Sequence, residues 1–426
     1  MEQFCHFLKK GIFDLSPRYY VDSGIPLIRT TEIKSEIADM SSVVFLSEET
    51  HGRHRETELE RADIVFTKIG ANIGDSAILP RRHRRYNFSQ NVAGAKIRKG
   101  VIAPHYLAAY LNSKFGRLQL RRAEMPSGQG KLELTDIKRI LIVVADCRLQ
   151  RCVEGFYLHA EDEIQKSSQL YSQAENLLLE ELGLKDFMPK YELSYSANLS
   201  KAFGAHRVDA EYFQPSCESL VGKLTETVEV KPLKYFLVDI KKGIEVGREQ
   251  YQEEGKLFIR VSNLSIDGLI ERDQKYIDET LYAKLAGQYE PKVGELLLTK
   301  DATPGVAYVL KEPIGAIMAG GVLRLTVDEA RINGEYLALC INSLIGKLQV
   351  ERDGAGSVIK HWRPEQVKRL LVPVLRDEIQ QQIESLVRQS HDARRKARHL
   401  LGEAKRRVEE MIEGASVSGT QQVAEH

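Results

Sequence analysis

The feature that most restricts this chain is a periodic stripe that occurs twice. Near the middle, apolar or small residues recur at Leu149, Val153, Phe156, Ala160, Ile164, Ser167, Leu170, Ala174, Leu178 and Leu182. Near the end they recur at Ile379, Ile383, Leu386, Ser390, Ala393, Ala397, Leu400, Ala404, Val408 and Met411, with the opening three positions displaced by 230 residues. Steps of three and four describe a long helix with one narrow apolar face, the signature of a coiled coil. Such a helix, charged on its other faces, buries its stripe against one partner helix. The nearest stripe of matching length is its own duplicate, so the two are expected to pair antiparallel.

The stretches ahead of the two helices repeat as well. Phe258-Ile-Arg260 answers Leu27-Ile-Arg29, Glu295 to Lys300 answers Asp63 to Lys68, and Tyr336-Leu-Ala338 answers Tyr106-Leu-Ala108. Asn342-Ser343 answers Asn112-Ser113, and Val367-Lys-Arg-Leu370 answers Ile137-Lys-Arg-Ile140. The displacement stays between 230 and 232 residues, which is duplication and not chance. Within a copy, Ile25 to Arg29 and Asp63 to Lys68 read as strands, and Ile69-Gly-Ala-Asn-Ile-Gly-Asp75 as a glycine-punctuated turn. Ser76 to Leu79 reads as the returning strand, Pro104 as the start of a helix, and Ile140 to Val144 as a last strand.

The expected fold class is α+β: two mixed α/β domains and an antiparallel pair of long coiled-coil helices, related by a pseudo-two-fold. The expected boundaries are a first domain over 1–147, a helix over 148–183 and a connector with the second domain over 184–376. A second helix over 377–413 and a polar, disordered tail over 414–426 complete the chain.

Composition narrows the function classes. Lys+Arg 61 against Asp+Glu 60 announces no overall basicity, so any nucleic-acid contact must come from local positive surface. Five cysteines without a C-x-x-C pair fit a reduced, cytoplasmic setting, and no apolar run reaches membrane-spanning length. There is no Walker A sequence, no N/D-P-P-Y run, no glycine-rich cofactor loop and no zinc-ligand spacing. The chain is expected to be non-catalytic and to need no cofactor.

A helix from Asp377 to Glu413 would extend on the order of 55 Å. Antiparallel pairing would set one domain at each end, an arrangement suited to two separated half-sites on DNA, which repeat on one face about every 34 Å. Here the sequence resembles the specificity subunit of type I restriction-modification systems. The matching segments are Thr67 to Asp75, Ser89-Gln-Asn-Val-Ala-Gly94, Tyr106 to Phe115, Arg207 to Pro215 and Asp377-Glu-Ile-Gln380. The resemblance implies two target recognition domains, each reading half of a bipartite double-stranded DNA site. It also implies two methyltransferase subunits held through the helices, a restriction (motor-nuclease) subunit joining later, and no membrane. Departures from the family are the shortened start of the first domain, Asp146-Cys-Arg-Leu-Gln150 before the first helix, and unlike loops at Ser127 to Gly130 and Gly354 to Ser357.

Candidate contacts follow from position and chemistry. Lys68 and Lys300 end equivalent strands beside turns, where a phosphate contact and a solvated strand end are both open readings. Asn72 and Thr303 lie in those turns, and Gly70 and Gly74 make one of them. Gln90 and Asn91 carry amides suited to adenine edges, or to a capping role. Ser127, Gln129 and Lys131 occupy a polar loop, answered by Ser357, Lys360, His361, Trp362 and Arg363, with Trp362 either at DNA or a packing anchor. Arg81, Arg82, His83, Arg84 and Arg85 form a basic cluster that is a phosphate patch or a solvated loop, and the basic face of the last helix reads mainly as an exposed coiled-coil face. The rival readings are a coiled-coil scaffold that recruits proteins without touching DNA, and an enzyme with an unfamiliar site. If the helices act as the spacer, a seven-residue insertion in one of them lengthens the nonspecific gap and preserves both half-sites, as methylome sequencing would read; an unchanged gap refutes the spacer role.

Overall fold

The computed structural model describes residues 1–70, 72–123, 130–270, 273–354 and 361–423, with 415–423 described by backbone alone. The chain divides into two compact units, Met1–Gln165 with Arg395–His426, and Lys166–Arg394. Each long helix, Cys147–Glu181 and Asp377–Val423, therefore gives one stretch to each unit. The division falls within the two helices. The second helix also continues past Glu413 into the polar segment expected to be disordered, where no proline stops it.

In the first unit one four-stranded sheet is built from β1 (Cys5–Lys10), β3 (Ile64–Thr67), β4 (Ser76–Ile78) and β6 (Val92–Ile97), while β2 (Ile25–Ile28) and β5 (Arg85–Phe88) belong to a second, five-stranded sheet. The order is β1-β6-β3-β4, antiparallel throughout, while β2 and β5 run parallel. Ile64, Val65 and Phe66 are buried in succession because both sheet faces are covered, so the strand shows an unbroken apolar run instead of alternation. Two helices pack on the sheet, α1 (Pro104–Asn112) and α2 (Lys114–Arg122).

The second unit repeats this plan. Here α3 (Pro215–Thr227) leads into β7 (Glu229–Pro232), followed by β8 (Leu237–Lys242), β9 (Lys256–Ile259), β10 (Leu296–Thr299), β11 (Ala307–Val309), β12 (Ala316–Met318) and β13 (Val322–Val327). The order β8-β13-β10-β11 matches the first unit, and β9 with β12 is the matching parallel pair. Helices α4 (Gly334–Asn342) and α5 (Leu344–Gly354) follow, then β14 (Leu371–Val374).

Several polar residues identical in both copies act as straps. The Asn112 side chain donates to the Ser76 carbonyl at 3.2 Å, and Asn342 exchanges hydrogen bonds of 2.8 and 2.9 Å with the backbone of Ala307, so each ties its helix to an edge strand. Gln119 pairs with the N–H and carbonyl of Leu141 at 2.9 and 3.0 Å, as Gln349 does with Leu371 at 2.8 and 2.9 Å. Tyr106 and Tyr336 donate their hydroxyls to the carbonyls of Val143 and Pro373. Gly116 and Gly346 are required by close approach: a Cβ would lie 2.3 Å from the Tyr110 carbonyl oxygen in one and 2.0 Å from that of Ile341 in the other.

One expected strand differs. β14 pairs with β7 in the second unit, but Ile140 to Val144, expected to match it, has no strand partner among the described residues.

Within each unit the helix stretches pack antiparallel, as the stripes imply. In the first, Val153, Tyr157 and Ala160 join Ala397, Leu401, Ala404 and Val408 in one core. In the second, Ala174, Leu178 and Leu182 join Ile379, Ile383 and Val387, and Ser390 donates to the Ser167 carbonyl at 2.8 Å. Near that serine pair His391 is buried, its Nε2 3.0 Å from the Ile266 carbonyl oxygen and its ring edge-on to Tyr308. Burial, then the nearby Lys311 ammonium, pushes its pKa down to about 4. The folded state holds this imidazole neutral, so stability is full above the unfolded value near 6.5 and falls as pH drops from there toward about 4. The loss is on the order of 3 kcal/mol. Thermal melting of the second unit should show it, and His391→Gln should flatten the profile in that window.

Candidate functional site

The β3–β4 turn and its counterpart in the second unit are positioned alike. Lys68 follows β3, donates its N–H to the Asn91 carbonyl at 2.9 Å and accepts from the Leu132 N–H at 3.0 Å. Lys300 follows β10, donates to the Gly321 carbonyl at 2.9 Å and accepts from the Trp362 N–H at 2.7 Å. These bonds fix the correspondences Asn91 with Gly321, Leu132 with Trp362, and Lys131 with His361. Gly70 and Gly74 take positive φ and make the turn, and the Asn72 carbonyl accepts from Asp75 within it.

The surroundings of the two lysines differ in charge. Lys68 is buried, and among the described residues its ammonium has no hydrogen-bond or ion-pair partner. Burial lowers its pKa first, and Lys131 and Lys10 lower it further against the opposing pull of Glu133. Glu133 is already held by Lys131 at 2.5 Å. Among the described residues, Lys68, Lys131 and Lys10 thus share one locus with Glu133. In the second unit Lys300 donates to Asp301 at 2.5 Å, and the other oxygen of that carboxylate lies 2.8 Å from His361 Nδ1. Burial works to raise the Asp301 pKa, but Lys300 and His361 hold it below the usual carboxylate range. Lys300 is masked; Lys68 is not. Sequence reasoning ranked the two lysines together and missed Lys10 and Asp301. The adjacent Lys300-Asp301 letters were the available signal.

Other candidates fall into groups. Asn91 is exposed beside Lys68, and half-buried Gln90 accepts from the Asp14 N–H at 3.3 Å, so the amides split between an open and a structural position. Thr303 is exposed in the turn after Lys300, its carbonyl accepting from the Thr299 hydroxyl at 2.6 Å. Arg363 is exposed at the cap of a short helix. Trp362 is corrected: its ring is fully buried in the second unit's core and its Nε1 donates to Asp353 at 3.3 Å, so it anchors the segment and presents nothing to DNA. Ser127, Gln129, Ser357 and Lys360 lie outside the described residues.

The basic cluster is partly spent within the first unit. Arg81 pairs with Glu161 and Asp162 at 3.0 and 2.6 Å, and Arg85 with Glu48 at 2.6 Å, while Arg82 and Arg84 are exposed. On the last helix Arg394 pairs with Asp267, Lys396 with Glu163 and Lys405 with Glu36. These charges fasten each unit internally. Among the described residues no helix is long and apolar enough to cross a membrane.

No protein-family model matches this chain, and neither does any curated protein. Solved structures similar to it include the S subunit of a type I restriction-modification system from M. genitalium, at 12% identity over 95% of this chain and 91% of that one, with a TM-score of 0.39. The HsdS subunit from Thermoanaerobacter tengcongensis is similar at 12% identity over 96% of this chain and 94% of that one, with a TM-score of 0.30. A third, from work on complex assembly and conformational transition of the type I R-M system, is similar at 13% identity over 95% and 96%, with a TM-score of 0.29.

Proposed function

We propose that this chain is a non-catalytic DNA-reading subunit of a restriction-modification assembly, one half-site per unit, that directs partner methyltransferase and restriction subunits. The observation that carries the reading is a shared scaffold with unlike chemistry at equivalent positions. The straps from Asn112, Gln119 and Tyr106 recur in the second copy, whereas the unmasked Lys68 with Lys131 becomes Lys300 with Asp301 and His361. A duplication kept for shape and varied at its turns is what reading two different sequences on one duplex requires.

In this reading Lys68, with Lys131, contacts a phosphate, and Asn91 reaches a base edge. Asn72, Gln90, Thr303, His361 and Arg363, together with Ser127, Gln129, Ser357 and Lys360, remain the surrounding contact candidates. Lys300, held by Asp301, contributes less to affinity. Exchanging residues 243–376 for those of a relative should alter one half of the methylated site and leave the other, read by methylome sequencing; change in both halves or in neither refutes the two-reader model. Lys68→Gln should weaken duplex binding alike across sequences and make the salt dependence shallower by about one ion, whereas Lys300→Gln leaves that slope nearly unchanged. If gel shifts with the partner subunit present show no salt-sensitive duplex binding at all, the scaffold reading replaces this one.

A further inference from the structure

Lys68 and Lys300 occupy equivalent places and are 7% and 9% exposed, so depth does not separate them. Lys10 closes β1 opposite Ala93, and Thr67 of β3 lies opposite Val92, which sets Lys10 and Lys68 on either side of β6. In the second unit Lys242 closes β8 in the same way, opposite Leu323. The flanking residues nonetheless differ: Ile69 stands against Asp301, Lys131 against His361 and Glu133 against Arg363.

Those exchanges set the state of each amine. Asp301 takes the Lys300 ammonium at 2.5 Å and holds its proton there. Ile69 offers Lys68 nothing of the kind, and the Glu133 carboxylate is occupied by Lys131 at 2.5 Å. Among the described residues the Lys68 ammonium has no hydrogen-bond or ion-pair partner. Burial, then Lys131 and Lys10, hold its pKa below the ordinary lysine value while Glu133 pulls the other way. A desolvated lysine beside other cations is the activated form of this nucleophile, because the neutral amine is what attacks. The Lys131 side chain is 44% exposed and Lys10 is exposed, so the same locus attracts anions from solvent.

We propose that Lys68 is a covalent modification site, acylated by small acyl phosphates whose phosphate group is gathered by Lys131 and Lys10. The Nζ lone pair attacks the acyl carbon, and the new C–N bond forms as the C–O bond to phosphate breaks. Inorganic phosphate leaves with that electron pair, and the proton shed by the nitrogen passes to water. The amide product carries no charge, so one acyl group removes the cation that distinguishes this locus from its duplicate. The chemistry needs no DNA; that it would also cancel a phosphate contact at Lys68 rests on the DNA reading above.

The test incubates the full chain with acetyl phosphate and follows acetyl-lysine by mass spectrometry of peptides cut without regard to lysine. Lys68 should be acetylated about tenfold faster than Lys300 in the same sample. Asp301→Asn keeps the side-chain shape, removes the charge and should raise the Lys300 rate severalfold. Lys131→Gln removes an anion-gathering charge and frees Glu133 to hold the amine, so it should slow Lys68 severalfold, as should excess inorganic phosphate. The ratio of Lys68 to Lys300 is read in the unaltered chain, so it stands whether or not a variant folds. Equal rates at the two lysines, or a Lys68 rate that neither Lys131→Gln nor phosphate changes, overturns the inference. No DNA is present, so either result leaves the DNA reading standing.

Discussion

The constraint on which the rest depends is the narrow apolar stripe of the two long helices. Each unit completes its core with one stretch from each helix, so neither core closes without residues more than two hundred positions apart in sequence. Burying a side chain such as Leu178, Ile383 or Leu401 contributes about 1.5–3 kcal/mol, and small residues at Ala160, Ala404, Ser167 and Ser390 let the backbones approach. The serine pair adds a hydrogen bond where an apolar contact would have left the seam without a fixed register. Broad charged faces flank that seam, where Lys396 pairs with Glu163 and Lys405 with Glu36.

Much of this was legible from letters alone, for an identifiable reason. The polar identities between copies, Asn112 with Asn342, Ser113 with Ser343, Tyr106 with Tyr336 and Gln119 with Gln349, are side chains that bond to backbone, a job few other residues can do at that spacing. Periodicity found the helices because one apolar face is a local property. The strand over Ile140 to Val144 was misjudged because strand formation depends on a neighbour, and apolar letters do not reveal whether one exists. Trp362 was open for a similar reason: an aromatic in a basic segment serves a core or a ligand equally well until burial decides.

The candidate site was only half legible. Position picked out Lys68 and Lys300 correctly as equivalent, but charge state is a property of the company a side chain keeps. One aspartate holds the Lys300 ammonium and the distant His361 meets its other oxygen, whereas among the described residues the Lys68 ammonium has no such partner. Lys10 was invisible because its link to Lys68 runs across the sheet, not along the chain.

The straps also carry an evolutionary consequence. Gln119 and Tyr106 grip amide and carbonyl groups, which every residue except proline offers in full. The gripped segment can therefore change its side chains without loosening its hold. Tethers that ignore identity let one copy drift or be swapped wholesale while the other stays in place. Side chains along such a segment can be replaced while its place in the fold is kept.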